Sequence, residues 1–307
     1  GLADSTFTSA FMGQLIAIVG KNLGGTIGIF FNDREANLNP AYVTEESILV
    51  AVPNQTPDVV TNKMTLSFDD GTSMEYDFAV EVPPPVILST KCEYVPDGGT
   101  MVINGDYFFL PTKVYFPGDV EATITALFTD RVEFTVPEGS VPGQIKVETN
   151  FGEALSPFLF RDNRQTILDW ETLMSENWTA EYVYADSTPE IAPVSGNYCM
   201  IKSDAAASWN WQNNLALFAW GEGIRASEDP ILTGFIPDLD FRFEVNVPVP
   251  WNDIRMEIYF SPYGHGHGRD EVSPAFAYWK PWEDGPYTTD GWVTISIPLT
   301  DFSNVND

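Results

Sequence analysis

Apolar and polar residues alternate along much of this chain. Val132, Phe134 and Val136 alternate with the polar residues Glu133 and Thr135. A period of two places successive side chains on opposite faces of a strand, so that one face is buried and the other meets water. Similar alternation occurs in the segments 145–148, 241–247, 256–260 and 293–299. Gly and Pro, 23 of each, separate these runs, so the pattern predicts an all-β protein with many turns.

The first half of the chain repeats itself once. The matching landmarks are, in order, Gly20 and Gly105, Val52-Pro53 and Val136-Pro137, and Asp70-Gly71 and Phe151-Gly152. Because the order is kept while the spacing drifts, the pattern is typical of duplicated domains. We predict two small antiparallel immunoglobulin-like sandwiches, at residues 1–83 and 84–161. The three prolines at 83–85 favour an extended, stiff connection between them.

The third segment, residues 162–307, differs in composition. It contains all nine tryptophans of the chain, and its alternating runs predict a β-sandwich that is larger than the first two and resembles a jelly roll. The last alternating run ends a few residues before Asp307. A sandwich without its closing strand would expose an edge, so we expect this domain to continue beyond the sequence given.

The charge of the chain limits its ligands. With 44 acidic and 15 basic residues, the formal net charge is -29. Such a surface repels nucleic acids, anionic membranes and acidic glycans, whereas a neutral ligand meets no repulsion. The two cysteines, Cys92 and Cys199, are interpreted as small hydrophobic residues without a disulfide. We expect a monomer that needs no cofactor.

Tryptophan and tyrosine side chains are the candidate chemistry. Flat aromatic rings stack on the apolar faces of sugars, while polar side chains bind the hydroxyl groups. The densest aromatic segment contains Tyr278, Trp279, Trp282 and Tyr287. Tyr278 and Trp279 would point to opposite faces of a strand unless it ended or bulged between them. Pro281 favours an end to the strand, which would leave Trp282 and Tyr287 on the following loop.

Three further tryptophans are candidates for sugar contact. Trp209 and Trp211 would lie on one side of a strand, and Trp251 follows a turn-like segment rich in proline. The alternative for each candidate aromatic residue is a place in the core. Trp292 opens the last alternating run and is expected to be structural.

Catalytic and metal sites have weak support. A glycosidase needs two carboxylates across the scissile bond, and no strand carries the closely spaced acidic residues that jelly-roll β-glucanases place there. His265 and His267 are too few to indicate a metal site by themselves. We therefore predict no catalytic residue and no bound metal.

The chain also resembles a known family. The runs "IAIVGKNLG" and "MVINGDYFF", with the strands that follow them, are similar to IPT/TIG immunoglobulin-like domains. Two such domains before a tryptophan-rich sandwich resemble the cell-surface glycan-binding lipoproteins of polysaccharide-utilisation loci in Gram-negative bacteria. The resemblance implies a place on the outer membrane, a lipid anchor outside this sequence, and a SusD-like protein and a TonB-dependent transporter as partners. It also favours Tyr278 and Trp279 as platform residues, and Trp282 more weakly.

These observations predict non-catalytic binding of a neutral polysaccharide in the third segment. A flat aromatic surface and the resemblance favour a β-glucan, while β-mannan and xylan stay open. The alternatives are a structural or adhesive protein that binds another protein, and a glycoside hydrolase.

Overall fold

The computed structural model describes residues 6–171, 176–177, 181–183, 191–200, 217–218, 234–260 and 275–304. Trp209, Trp211, His265 and His267 lie outside the described residues, so their roles stay predictions. Within the described part, helical structure is limited to short 3-10 helices, at Pro40–Tyr42, Ile236–Asp238 and Leu299–Asp301. The all-β prediction is confirmed.

The first eight strands form one sandwich. They are β1 (Ser9–Phe11), β2 (Leu15–Val19), β3 (Thr26–Phe31), β4 (Arg34–Glu35), β5 (Ser47–Ala51), β6 (Lys63–Phe68), β7 (Ser73–Asp77) and β8 (Ala79–Glu81). One sheet has the order β4-β3-β6-β7, the opposite layer is the pair β2-β5, and β1 pairs in parallel with β8. Alternate side chains of both layers form a closed core around Ile29, Ile48 and Leu66, which are fully buried.

The next eight strands form a second sandwich. They are β9 (Val86–Thr90), β10 (Thr100–Asp106), β11 (Thr112–Phe116), β12 (Val120–Glu121), β13 (Thr123–Leu127), β14 (Arg131–Thr135), β15 (Lys146–Thr149) and β16 (Gly152–Leu155). Its sheets have the orders β13-β14-β10-β9 and β12-β11-β15-β16. The alternation in β14 has the predicted result, because Val132 and Phe134 are fully buried in the core.

The two sandwiches share three strand pairings. The pairs β2-β5, β3-β6 and β6-β7 of the first sandwich recur as β10-β14, β11-β15 and β15-β16 of the second. The Val-Pro landmarks follow β5 and β14, and the glycine landmarks at 71 and 152 lie at the β6-β7 and β15-β16 turns. The predicted duplication is therefore visible in the strand order.

The described strands of the C-terminal segment lie in smaller sheets. They are β17 (Glu176–Asn177), β18 (Glu181–Val183), β19 (Tyr198–Met200), β20 (Leu217–Phe218), β21 (Asp240–Val245), β22 (Met256–Phe260), β23 (Ala275–Trp279), β24 (Val293–Pro298) and β25 (Ser303–Asn304). The sheets are the pairs β17-β20, β18-β19 and β21-β24, and the three-stranded β22-β23-β25. Phe241 on β21 packs edge-on against Phe260 on β22 and against Phe302, so an aromatic core joins two of these sheets.

The C-terminal segment is docked directly on the second sandwich. The backbone N–H of Thr294 on β24 donates to the carbonyl of Lys91 at 3.0 Å, and the N–H of Glu93 donates to Oγ1 of Thr294 at 2.8 Å. Trp292 packs against the core of the second sandwich, and its indole N–H donates to the carbonyl of Ala192 at 2.8 Å. The structural role predicted for Trp292 is confirmed.

Both cysteines are free thiols, which confirms the prediction of no disulfide. Cys92 is buried and Cys199 is half-buried, and burial raises the pKa of each thiol to about 11. Among the described residues, no helix is long and apolar enough to cross a bilayer.

Candidate functional site: an aromatic cluster in the C-terminal segment

Four aromatic side chains meet at one end of the C-terminal sheets. We call Trp251, Trp279, Trp282 and Tyr287 the aromatic cluster. The Trp279 ring lies 5.2 Å from the Trp251 ring and 5.6 Å from the Tyr287 ring, measured between ring centroids. Both contacts are edge-to-face, at 90° and 84°, which is a favourable arrangement for aromatic quadrupoles. All four side chains are half-buried, so the cluster keeps part of its surface in solvent.

Backbone hydrogen bonds bring the two loops of the cluster together. The N–H of Trp251 donates to the carbonyl of Tyr287 at 2.9 Å, and the N–H of Tyr287 donates back at 3.0 Å. This isolated antiparallel bridge joins the loop after β21 to the turn after β23. The backbone therefore holds the rings of Trp251 and Tyr287 close to each other, and both contact the ring of Trp279.

One carbonyl orients two of the indoles. The indole N–H of Trp282 donates to the carbonyl of Ile254 at 2.9 Å, and the indole N–H of Trp251 donates to the same oxygen. A carbonyl oxygen has two lone pairs and accepts both bonds. These bonds satisfy the polar edges of the rings from the protein side, which leaves their apolar faces for packing or ligand contact.

Tyr278 lies on the other face of β23. The strand runs through Trp279 without a bulge between the two residues, so they point to opposite sides. Trp279 packs against Phe243 on β21, at 5.4 Å between centroids, while Tyr278 packs against Phe276 at 5.2 Å. The structure therefore does not bring Tyr278 into the aromatic cluster.

The surroundings of Tyr278 are cationic. The guanidinium of Arg255 lies 4.1 Å from the centroid of the Tyr278 ring, and the ammonium of Lys280 lies 5.7 Å from it. Both distances are within the range of cation–π attraction. One face of the Tyr278 ring is thus next to an arginine in a protein of strongly negative charge.

The rim of the cluster offers polar groups. Asn252, Asp253, Glu283 and Asp284 are exposed and lie on the same two segments as the tryptophans. Carboxylates and amides bind sugar hydroxyls by hydrogen bonds. Burial raises the pKa of the Tyr287 hydroxyl, so this group is a neutral donor and acceptor at ordinary pH.

Sequence reasoning anticipated part of this arrangement. The structure places Trp251, Trp279, Trp282 and Tyr287 together, and β23 ends at Trp279 as Pro281 suggested. The turn at 281–284 carries Trp282, in agreement with the loop prediction. The rings do not form one flat surface, since neighbouring planes are nearly perpendicular.

Two contributors to the site were not anticipated. Arg255 stacks on Tyr278, and Ile254 supplies the shared carbonyl. The register of β22 and β23 pairs Met256 with Trp279. The two residues before Met256 then lie near the end of β23, with Ile254 at the tryptophans and Arg255 at Tyr278. The local sequence pattern of a strand does not determine its register with another strand, so no motif indicated the roles of Arg255 and Ile254.

The described residues contain no group of three or more His, Cys, Asp or Glu side chains placed to hold a metal ion. The carboxyl groups of Glu93, which is buried, and Glu244, which is half-buried, lie at the joint with the second sandwich instead of in the aromatic cluster. The chemistry that the cluster offers is stacking and hydrogen bonding.

A set of partly exposed aromatic rings with a polar rim can stack on the apolar faces of sugars and hydrogen-bond their hydroxyls. The family model described as "Surface glycan-binding protein B xyloglucan binding domain" matches residues 160–307, which include the whole aromatic cluster. This match covers 148 of the 307 residues, and the chain as a whole is similar to surface glycan-binding protein B and to IPT/TIG-containing proteins. The family is a non-catalytic, glycan-binding one.

Two solved structures are similar to this chain over nearly its whole length. The chain is similar to the surface glycan-binding protein PbSGBP-B from Prevotella bryantii, with 27% identity and a TM-score of 0.68 over 98% of this chain and 82% of that one. It shares its fold with an SGBP-B from a complex xyloglucan utilization locus in Bacteroides uniformis. There the identity is 18% and the TM-score 0.52, over 97% of this chain and 86% of the other.

A curated relative extends the comparison. An IPT/TIG domain-containing protein from Bacteroides ovatus is 34% identical over 120 residues. The match covers 37% of this chain and 24% of the relative, so the chain spans about a quarter of that protein.

Proposed function

We propose that the protein binds a neutral β-glucan through the aromatic cluster. The observation that carries the proposal is the half-exposed cluster of four rings within the residues that match a xyloglucan binding domain. Xyloglucan has a neutral β-glucan backbone whose sugars present apolar faces, and it is the first ligand to test. A neutral ligand also agrees with the net charge of -29, which disfavours acidic glycans.

The geometry supports a site lined by rings at right angles to one another more than a flat aromatic platform. Trp279 is wedged between Phe243, Trp251 and Tyr287, so its ring anchors the cluster and presents only part of its surface. Trp282 lies on the turn and borders the same space through its bond to Ile254. We propose that a glucan chain runs along Trp251, Trp279 and Trp282, with the polar rim binding its hydroxyls. Tyr278, backed by Arg255, would contact the glycan only where the chain passes over the edge of β23.

The proposed cellular role follows from the resemblance and the family. We propose that the protein is a monomer held at the outer membrane by a lipid anchor outside this sequence. Its partners there would be a SusD-like protein and a TonB-dependent transporter, to which captured polysaccharide is delivered. The domain limits 1–83, 84–161 and 162–307 would make the first two sandwiches spacers and the third the binding domain. Micromolar to millimolar affinity, about -4 to -8 kcal/mol, would suit capture and release.

Removal of the central ring tests the proposal. In native gels containing xyloglucan, Trp279→Ala should lose at least about 1 kcal/mol of binding free energy, which is roughly fivefold in Kd. Trp282→Ala, which changes a ring on a turn, should also weaken binding.

Tyr42→Ala is the matched control, because Tyr42 is an exposed aromatic residue of the first sandwich, outside the cluster. Circular dichroism would show that each variant is folded. If both tryptophan variants are folded and are retarded in the polysaccharide gel as strongly as the wild type, the aromatic cluster is not the binding site.

A further inference from the structure

An open groove lies where the first two sandwiches meet. It has a volume of about 760 Å³, within the range of roughly 300–1,000 Å³ that is common for ligand sites. One wall comes from the first sandwich and includes Phe11 and Asn62, and the other includes Asn150 and Phe151. The linker residues Pro83 and Pro84 lie between the walls.

Two aromatic residues line the groove, Phe11 from the first sandwich and Phe151 from the second. Phe11 is 57% exposed on β1, which leaves its ring open to a ligand. Phe151 is half-buried and packs edge-on against Phe109, at 6.4 Å between centroids. Gly152, at φ +138°, lies so close to Pro84 that an added Cβ would meet the proline Cβ at 2.9 Å. The turn that carries Phe151 is thereby held against the linker.

The polar groups of the groove are mostly neutral amides. Three asparagines line it: Asn32, Asn62 and Asn150. The Asn32 side-chain oxygen accepts the backbone N–H groups of Thr61 at 2.9 Å and of Asn62 at 2.7 Å, so its NH₂ group carries the remaining capacity to donate. Amides of this kind bind hydroxyl groups as both donors and acceptors.

Charge sets this groove apart from the rest of the surface. Among the described residues that line the groove, Glu81 is the only ionisable one, and its carboxylate accepts a hydrogen bond from the Ser9 hydroxyl at 2.5 Å. In a chain with 44 acidic residues, a groove lined mostly by phenylalanine, proline, valine and asparagine carries little charge. A basic protein segment would find little charge to pair with here, whereas an uncharged polyhydroxylated chain would find rings and amides.

We infer that the groove between the first two sandwiches is a second binding site for a neutral glucan chain, so that these sandwiches bind glycan in addition to acting as spacers. The inference rests on the proposed function, since it assigns the same ligand class to a separate place in the molecule. Phe11 and Phe151 would contact the apolar faces of the sugars, and the asparagines would bind their hydroxyls. Two sites on one chain would raise the avidity for a long polysaccharide above that for a short oligosaccharide.

The test uses the full chain with its C-terminal cluster weakened by Trp279→Ala. Phe11→Ser and Asn150→Ala are each added to this background, with Phe128→Ser as the control, because Phe128 is 48% exposed and lies outside the groove. Retardation in xyloglucan gels is measured for all variants and for the wild type. We expect the Trp279→Ala protein to be still retarded by xyloglucan. Adding Phe11→Ser or Asn150→Ala should reduce that residual retardation at least about threefold, whereas adding Phe128→Ser should leave it unchanged.

Hydrogen exchange provides a second readout that does not depend on variant folding. With a saturating xyloglucan oligosaccharide, the backbone amides of residues 79–82 and 150–152 should exchange more slowly. If the wild type is retarded but these amides are unprotected and the groove variants behave like their background, the second site is wrong and the proposed function stands. If the wild type is not retarded by any β-glucan, the proposed function itself fails.

Discussion

At the scale of single residues, two corresponding glycines of the repeats differ in whether they leave room for a larger side chain. Gly105 lies in β10, where an added Cβ would meet the carbonyl oxygen of Val86 at 1.9 Å. Its counterpart in the first sandwich, Gly20, would place a Cβ 3.5 Å from the nearest side-chain atom, on Leu23, which is ordinary van der Waals contact.

We therefore expect Gly105→Ala to destabilise the second sandwich by about 2 kcal/mol or more, because β9 would have to move away from β10. Gly20→Ala is the matched control and should change stability by less than about 1 kcal/mol. Urea unfolding of both variants measures the difference. Equal effects of the two substitutions would show that β9 yields more easily than its packing suggests.

At the scale of strands, the sequence predicted what depends on local pattern. Period-two alternation predicted the buried face of β14, and Pro281 predicted the end of β23. The duplication was visible because most of its landmarks lie at turns or strand ends, where particular residues are needed. Opposite faces for Tyr278 and Trp279 also followed from the strand period.

What the sequence did not predict depends on which strands become neighbours. Nothing in the local pattern places Phe243 beneath Trp279, or Ile254 within reach of two indoles. The docking of the second sandwich on β24 is another contact between distant segments, made by residues that look unremarkable in sequence. The aromatic residues could be named as candidates in advance, but their mutual geometry required the fold.

At the scale of the whole molecule, a partly buried polar network centred on Glu93 holds the C-terminal segment to the second sandwich. Glu93 is 4% exposed and forms an ion pair with Arg242 at 2.5 Å. The charged and titratable groups around it are Arg242 and Glu244 from β21, Asp162, and the neighbouring Tyr94. Thr294 on β24 accepts the Glu93 N–H and donates to the Glu244 carboxylate at 3.1 Å.

This network makes the joint sensitive to pH. Burial raises the pKa of Glu93 from 4.5 to about 7, and Arg242 only partly offsets that effect. A carboxyl group whose pKa is raised by folding stabilises the protein when protonated, so its contribution is complete below pH 4.5 and is lost as the pH rises through 7. Burial raises the pKa of Glu244 as well, which acts in the same direction.

We expect the melting temperature to fall between pH 5 and pH 8, and Glu93→Gln to flatten that slope. Comparing the wild type with Glu93→Gln separates the effect of Glu93 titration from the general charge repulsion in a chain with net charge -29. Differential scanning calorimetry at several pH values measures both curves. Parallel curves for wild type and variant would show that Glu93 does not titrate in this range.

The central claim is that the protein binds a neutral glucan without cutting it. Affinity electrophoresis of the wild-type protein against soluble polysaccharides tests it most directly, with xyloglucan, mixed-linkage glucan, mannan, xylan and polygalacturonate in separate gels. The account predicts retardation by a β-glucan, no retardation by the acidic polymer, and no reducing ends released on incubation. Migration unchanged in every gel, or retardation by polygalacturonate alone, would contradict it.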